Sequence, residues 1–276
     1  MISGFSYKWF LCILALLALP DVNLCAQDKA EEQKRLANGK GLYRSEIASW
    51  HSTDLVRSEP DVERLNIGGY FSYEGPDSLL KTVFFSKGDS SGVVATVYFD
   101  KSLSPSGALV DKTTRAFTPH EAELFAIRNE AASLIGSDKF FKHHEDAHFN
   151  LIPVVTPATR RVYVITASTK PNEVIFGNDY VLTFDEGFKL VDKKRIHQSL
   201  LRLPAKNLSG DPKKKIASTY HTHLEKAGSL LSSTDICTLM LYGHLTEWTT
   251  HMVICGDDVS VWNVSANMPE SGRDRK

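Results

Sequence analysis

Ser218–Thr238 reads STYHTHLEKAGSLLSSTDICT, and its two halves follow different periods. In the first half, His221 and His223 are separated by Thr222, so in an extended strand both imidazoles point to one face and Thr222 to the other. In the second half, Ser232, Ser233, Thr234 and Asp235 precede the apolar run Ile236–Tyr242, which is the pattern of a helix N-terminus with Ser232 or Ser233 as N-cap. A strand over 216–223, a polar connection and a helix over 233–244 follow. Asp235 then lies in the first helical turn, and a carboxylate there that faces back toward the strand joins the two imidazoles. Two neutral imidazoles and a carboxylate suit Zn²⁺ and leave one tetrahedral position open. The bland alternative is a pair of strand histidines beside an ordinary helix cap.

Elements on either side extend the pattern. Thr118-Pro119 provides N-cap and N1 signals for a helix over His120–Gly136. Strand-like segments are expected at Tyr70–Tyr73, Leu79–Ser86 and Val93–Phe99, then at 148–155, 161–168 and 179–184, with Asp185-Glu186-Gly187 turning into Phe188–Val191. Two short strands, 250–255 and 259–263, precede a polar tail. This order predicts an α+β fold with a mixed, mainly antiparallel sheet flanked by helices. Gln27–Leu55 is charged with scattered apolar residues and reads as a helical or partly disordered lead-in. The expected organisation is an export signal over 1–26, a lead-in and β-rich section over 27–117, a core domain over 118–266 and a tail from 267.

The H-x-H and S-x-x-D elements of HTHLEKAGSLLSSTDICT resemble the signature of the JAMM (MPN-plus) metallopeptidase superfamily and its bacterial JAB-like relatives. The connection between His223 and Ser232 is one residue longer than that signature's usual spacing. By position, the resemblance implies His221, His223 and Asp235 as zinc ligands and Ser232 as the oxyanion partner. It further implies an MPN-like core preceded by a β-rich extension, and hydrolysis of a peptide or isopeptide bond by metal-activated water. A glutamate base is also part of the pattern. The strand HFNLIPVV holds none; Glu145, three residues ahead of it, is the nearest candidate and Glu130 on the helix a poorer one. Without such a base, the alternative is a non-catalytic exported binding protein that keeps the fold, with or without the metal.

His144-Glu145-Asp146-Ala147-His148 formally matches H-E-x-x-H. That motif works only on a helix, where residues four apart share a face. Asp146 and the β-like run ending at Pro153-Val154-Val155 argue instead for a solvated turn. His197 and His251 read as partly buried structural histidines, and Trp248 and Trp262 as core aromatics.

Lys8, the eleven-residue apolar run Trp9–Leu19, Pro20 and a short polar stretch to Ala26 have the order of a secretory signal. Cleavage near Ala26 is the expectation, with acylation at Cys25 the alternative. No later run reaches the ~20 apolar residues of a membrane span. Export leaves Cys237 and Cys255, either as a disulfide or as two buried thiols. Asn207-Leu208-Ser209 and Asn263-Val264-Ser265 are sequons that matter only in a glycosylating host. With 32 basic and 33 acidic residues the chain has no field to attract nucleic acid, so the expected partner is a peptide or protein substrate.

Overall fold

The computed structural model describes residues 20–88, 92–209, 211, 213–223 and 231–270. The apolar run Trp9–Leu19 lies outside them. In chain order the described elements begin with helix α1 (Pro20–Arg57), followed by strands β1 (Ile67–Glu74), β2 (Leu80–Ser86), β3 (Val93–Tyr98) and β4 (Leu109–Asp111). Helix α2 (Pro119–Ser137) leads into β5 (Ala147–Thr156), β6 (Thr159–Ser168), β7 (Glu173–Gly177), β8 (Tyr180–Phe184), β9 (Leu190–Arg195) and β10 (Leu200–Pro204). The C-terminal part contains β11 (Ser218–Thr222), α3 (Ser233–Tyr242), β12 (Thr250–Cys255), β13 (Asp258–Asn263) and β14 (Met268–Pro269).

The protein is α+β with mainly antiparallel pairing. Where the sequence suggests one mixed sheet, the strands divide among three four-stranded sheets, ordered β1-β2-β3-β4, β5-β6-β8-β9 and β11-β12-β13-β14, and a β7-β10 ribbon. The division follows from β7 and β10, short runs the sequence does not mark as strands. They pair with each other antiparallel, Val174 opposite Leu203, while the β8-β9 hairpin between them in sequence joins β6. Parallel pairing occurs between β11 and β12, with α3 as the crossover that such pairing requires.

The lead-in is one continuous helix, and burial explains why. Leu42, Ile47, Ala48 and Val56 are buried and Leu36 is partly buried, in three different clusters, so the core covers α1 on more than one face. Leu36 packs with the cluster that contains Ile236, Leu42 with Cys237, and Ile47 with Leu241, so α1 lies along α3. Helix α2 starts as expected: Thr118 accepts from the Glu121 amide and Glu121 accepts from the Thr118 amide, a capping box with Pro119 at the first position. Its Ile127, Ala131 and Ile135 pack against Val162, Val164, Tyr180 and Leu182. Trp248 and Trp262 are core residues as read, each fully burying roughly 2–3 kcal/mol worth of apolar surface. No helix among the described residues is long and apolar enough to cross a membrane.

Candidate metal centre

Strand β11 alternates exposed and buried residues: Tyr220 is 59% exposed, whereas Thr219 and His221 face inward. His223 lies just beyond the strand, and its amide donates to the Ile254 carbonyl at 2.9 Å, extending the ladder so that its imidazole shares the face of His221. Helix α3 meets that face with its N-terminus. Ser232 Oγ accepts from the Asp235 amide (3.0 Å) and Asp235 Oδ2 accepts from the Ser232 amide (2.8 Å), a capping box in which aspartate plays the glutamate's part. The cap fixes the carboxylate, and the helix dipole favours its charge. Its other oxygen, Oδ1, is buried and makes no hydrogen bond among the described residues.

That oxygen faces imidazoles. His221 Nε2 lies 3.0 Å from His223 Nε2 and 3.5 Å from Asp235 Oδ1, and His223 Nε2 lies 3.4 Å from Asp235 Oδ2. A tetrahedral ion ~2.1 Å from each ligand holds ligand atoms ~3.4 Å apart, so these three side chains already stand at the separations of a zinc site. A buried carboxylate needs compensating positive charge; a cation at the shared focus would supply it, as a protonated His197, 3.4 Å from Oδ1, also can.

The structure adds His197, which the sequence reading placed among structural histidines. It sits on the turn after β9, with Nε2 3.4 Å from Asp235 Oδ1 and Nδ1 3.3 Å from Asp179 Oδ2. Asp179 is itself held by the Thr166 amide at 2.9 Å, and its carbonyl accepts from the Ile196 amide at 2.8 Å. The approach depends on Gly177, whose φ of 88° and whose position against the Ser199 carbonyl leave no room for a Cβ. One ligand atom from each of His197, His221, His223 and Asp235 lies within 4.8 Å of the others, and all four residues are buried. No local spacing announces His197, because it reaches the site through the β7-β10 pairing.

The charges are mutually dependent. Burial alone would raise the Asp235 carboxyl, but His197, His223 and His221 hold it well below the usual carboxylate range. Burial opposes a charged His197, yet Asp235 and Asp179 together raise it to about 10. His221 is pushed down to about 4 by burial, with His223 and His197 adding to the effect against Asp235. His251, behind it, is pushed down to about 3, chiefly by burial. Neutral His221 therefore has a nitrogen lone pair for a cation at ordinary pH.

Ser232 lies beside the cluster, its hydroxyl 3.4 Å from His197 Nε2 and 3.1 Å from Thr234 Oγ1. Glu145 does not join it. Its side chain is exposed on the turn before β5, where Asp146 takes a left-handed φ of 55° and Arg202 holds the Glu145 carbonyl. Glu130 is exposed on α2, and buried Glu121 is committed to Arg115, Tyr73 and the α2 cap. His144 and His148 are exposed, on the turn and on β5 respectively, so no helix presents H-E-x-x-H. Of the two readings for Cys237 and Cys255, the structure selects two buried thiols with no disulfide between them.

Comparison with protein-family models, with curated proteins and with solved structures found no match.

Proposed function

We propose that this chain is a zinc-dependent hydrolase of peptide or isopeptide bonds, in which His221, His223 and Asp235 hold the metal and His197 with Asp179 handles the proton. The observation that carries this reading is the convergence of the His221 and His223 Nε2 atoms, 3.0 Å apart, on the buried Asp235 carboxylate, His221 at 3.5 Å from Oδ1 and His223 at 3.4 Å from Oδ2. The unit β11-α3-β12, with His221 on the strand, His223 just beyond it and S-x-x-D at the helix start, supports an MPN-like core around it. Zinc held by these residues would supply a Lewis acid that lowers the pKa of a water toward ~7 and polarises a carbonyl.

The remaining chemistry belongs to the chain's own side chains. Asp179 Oδ2 faces His197 Nδ1 and orients the ring, leaving Nε2 aimed at the cluster to accept a proton from water and pass it to the leaving amine. The positive charge of a bound cation offsets the one His197 carries without it. Ser232 Oγ, next to His197 Nε2, donates to the developing oxyanion, a contribution of ~2–4 kcal/mol where such donors have been removed elsewhere. His197 thus replaces Glu145 in the proton path. The substrate is a peptide or protein met after export, in keeping with the apolar segment Trp9–Leu19.

One observation favours a second reading. All four candidate ligands are less than a tenth exposed, and His197 Nε2 is close enough to Asp235 to act as a fourth ligand. Four protein ligands close a zinc site and leave no water position, giving a metal-binding protein without hydrolysis. Zinc stoichiometry and cleavage of peptide and isopeptide libraries, measured on residues 27–276 and on His197→Gln, separate the two. Hydrolysis predicts one zinc in both proteins and cleavage only in the wild type. Zinc bound without cleavage, and loosened in His197→Gln, overturns the hydrolase in favour of the closed site. Absence of zinc from the wild type overturns both.

A further inference from the structure

Behind His221 the structure holds a second imidazole whose position follows from strand register. In the parallel β11-β12 pair, Thr219 is opposite His251 and His221 opposite Val253, so Thr219, His221 and His251 face the same interior. His251 is 0% exposed. Its Nε2 lies 2.9 Å from His221 Nδ1 and its Nδ1 lies 2.8 Å from Thr219 Oγ1. Phe176 stacks on the ring with centroids 4.4 Å apart and planes 7° apart, and Trp248 lies beside both at 5.8 Å and 26°. Phe176 also stacks on His221 at 5.2 Å, so one phenyl ring aligns both imidazoles.

We infer that His251, anchored by Thr219, is a positioning residue that sets the tautomer and orientation of His221 for metal binding. The inference rests on the zinc reading above and deepens it. Two ring nitrogens at 2.9 Å share one proton, so one must donate and the other accept. If the proton sits on His251 Nε2, His221 Nδ1 is the acceptor, its own proton is forced onto Nε2, and that nitrogen cannot ligate a metal. If the proton sits on His221 Nδ1, its Nε2 lone pair is free and points at His223 and Asp235. His251 must then carry its proton on Nδ1, where Thr219 Oγ1 accepts it. Only this order satisfies every atom in the row and leaves a ligand at its end. An outer hydrogen bond of this kind raises the basicity of a ligating imidazole and fixes its angle; such bonds are more often made by a carboxylate or carbonyl, and here a second histidine makes it.

Zinc affinity by chelator competition, measured on the full chain, tests this. His251→Phe keeps a flat ring in the stack but has no acceptor, and should weaken zinc binding about 10- to 100-fold. His251→Gln restores an acceptor oxygen near the position of Nε2 and should recover most of that loss, which a purely space-filling role does not predict. Thr219→Val, close to isosteric, should weaken binding by a smaller factor, and Thr219→Ser should restore it. Wild-type affinity in both His251→Phe and Thr219→Val overturns the inference while leaving the zinc reading standing. Nitrogen-15 NMR of the unsubstituted protein gives a reading that no substitution can confound. A proton on Nδ1 of both His221 and His251 supports the inference, and a proton on His221 Nε2 in the zinc-loaded protein overturns it. If the wild type takes up no zinc, the zinc reading fails, and the metal-free spectrum still decides the tautomer order: His221 protonated on Nε2 there overturns the inference as well.

Discussion

Gly39 of α1 lies directly against Ile236 of α3: a Cβ at Gly39 would come within 2.6 Å of the Ile236 Cβ and 2.9 Å of the Ser233 carbonyl. The first turn of α3, which carries Asp235, is therefore seated on a helix backbone. Ser233 Oγ donating to the Arg35 carbonyl at 3.2 Å pins the same contact. The N-terminal helix thereby sets the height of one proposed metal ligand.

Gly39→Ala should destabilise the protein although alanine favours helices, because the new methyl displaces α3. Gly41→Ala, two residues on and with nothing within 4 Å of its added Cβ, should stabilise by about 0.5–1 kcal/mol. Urea denaturation of the two variants checks the opposite signs, and weakened zinc binding in Gly39→Ala alone would tie the contact to the site.

Asp235→Asn keeps an oxygen that can cap the Ser232 amide but removes the charge at the centre of the cluster. The folded state and the α3 cap should survive, and zinc binding should fall by orders of magnitude. In the wild type, zinc at 100 times its dissociation constant should add about 2.7 kcal/mol of stability, removable with chelator. Calorimetry with and without zinc measures both; a zinc-independent melting temperature in the wild type contradicts the expectation.

Glu46, buried on α1, is raised to about 7 by burial, with Arg128 and Asn150 opposing. A carboxyl whose folded pKa exceeds its ordinary 4.5 holds its proton more tightly when folded. Its contribution is full below pH ~4.5 and is lost as pH rises through ~7. Glu46→Gln should therefore gain up to ~3 kcal/mol over the wild type at pH 8 relative to its difference at pH 4.5. Denaturation curves at those two pH values provide the comparison, and parallel pH profiles would refute it.

Glu121 has the opposite sign. Burial would raise it, but Arg115, the Thr118 amide and Tyr73 bring it down to about 2. Its stabilisation is present above the ordinary 4.5 and is lost as pH falls through ~2. Glu121→Gln should cost about 2–3 kcal/mol at pH 7 and flatten the acid side of the stability profile between those values. Acid titration followed by circular dichroism detects the change in slope, and an unaltered acid midpoint would count against it.

Much of the element order was legible because the signals are local. Thr118-Pro119 with Glu121 states where α2 begins, alternation states where β5, β6 and β8 run, and His-Thr-His followed by Ser232 and Asp235 states which side chains can meet. The strands β7 and β10 were missed because EVIFG and LLRLP are short runs without alternation, marked as strands only by pairing with each other. Nearness in sequence to a strand singles out Glu145, but sequence distance says nothing of which way a turn faces. His197 and His251 looked like ordinary core histidines for the converse reason: one reaches the cluster through Gly177 and Asp179, the other through the β11-β12 register.

By itself, the sequence determined the α+β class, the strand-to-helix change of period around His223, and the trio His221, His223 and Asp235, since periodicity and capping act within a few residues of the chain. The tertiary structure alone decided that α1 supports α3, that Cys237 and Cys255 remain thiols, that His197 rather than Glu145 faces Asp235, and that His251 backs His221. Those outcomes depend on close approach between segments far apart in sequence, and close approach is governed by packing, which leaves no local pattern to read.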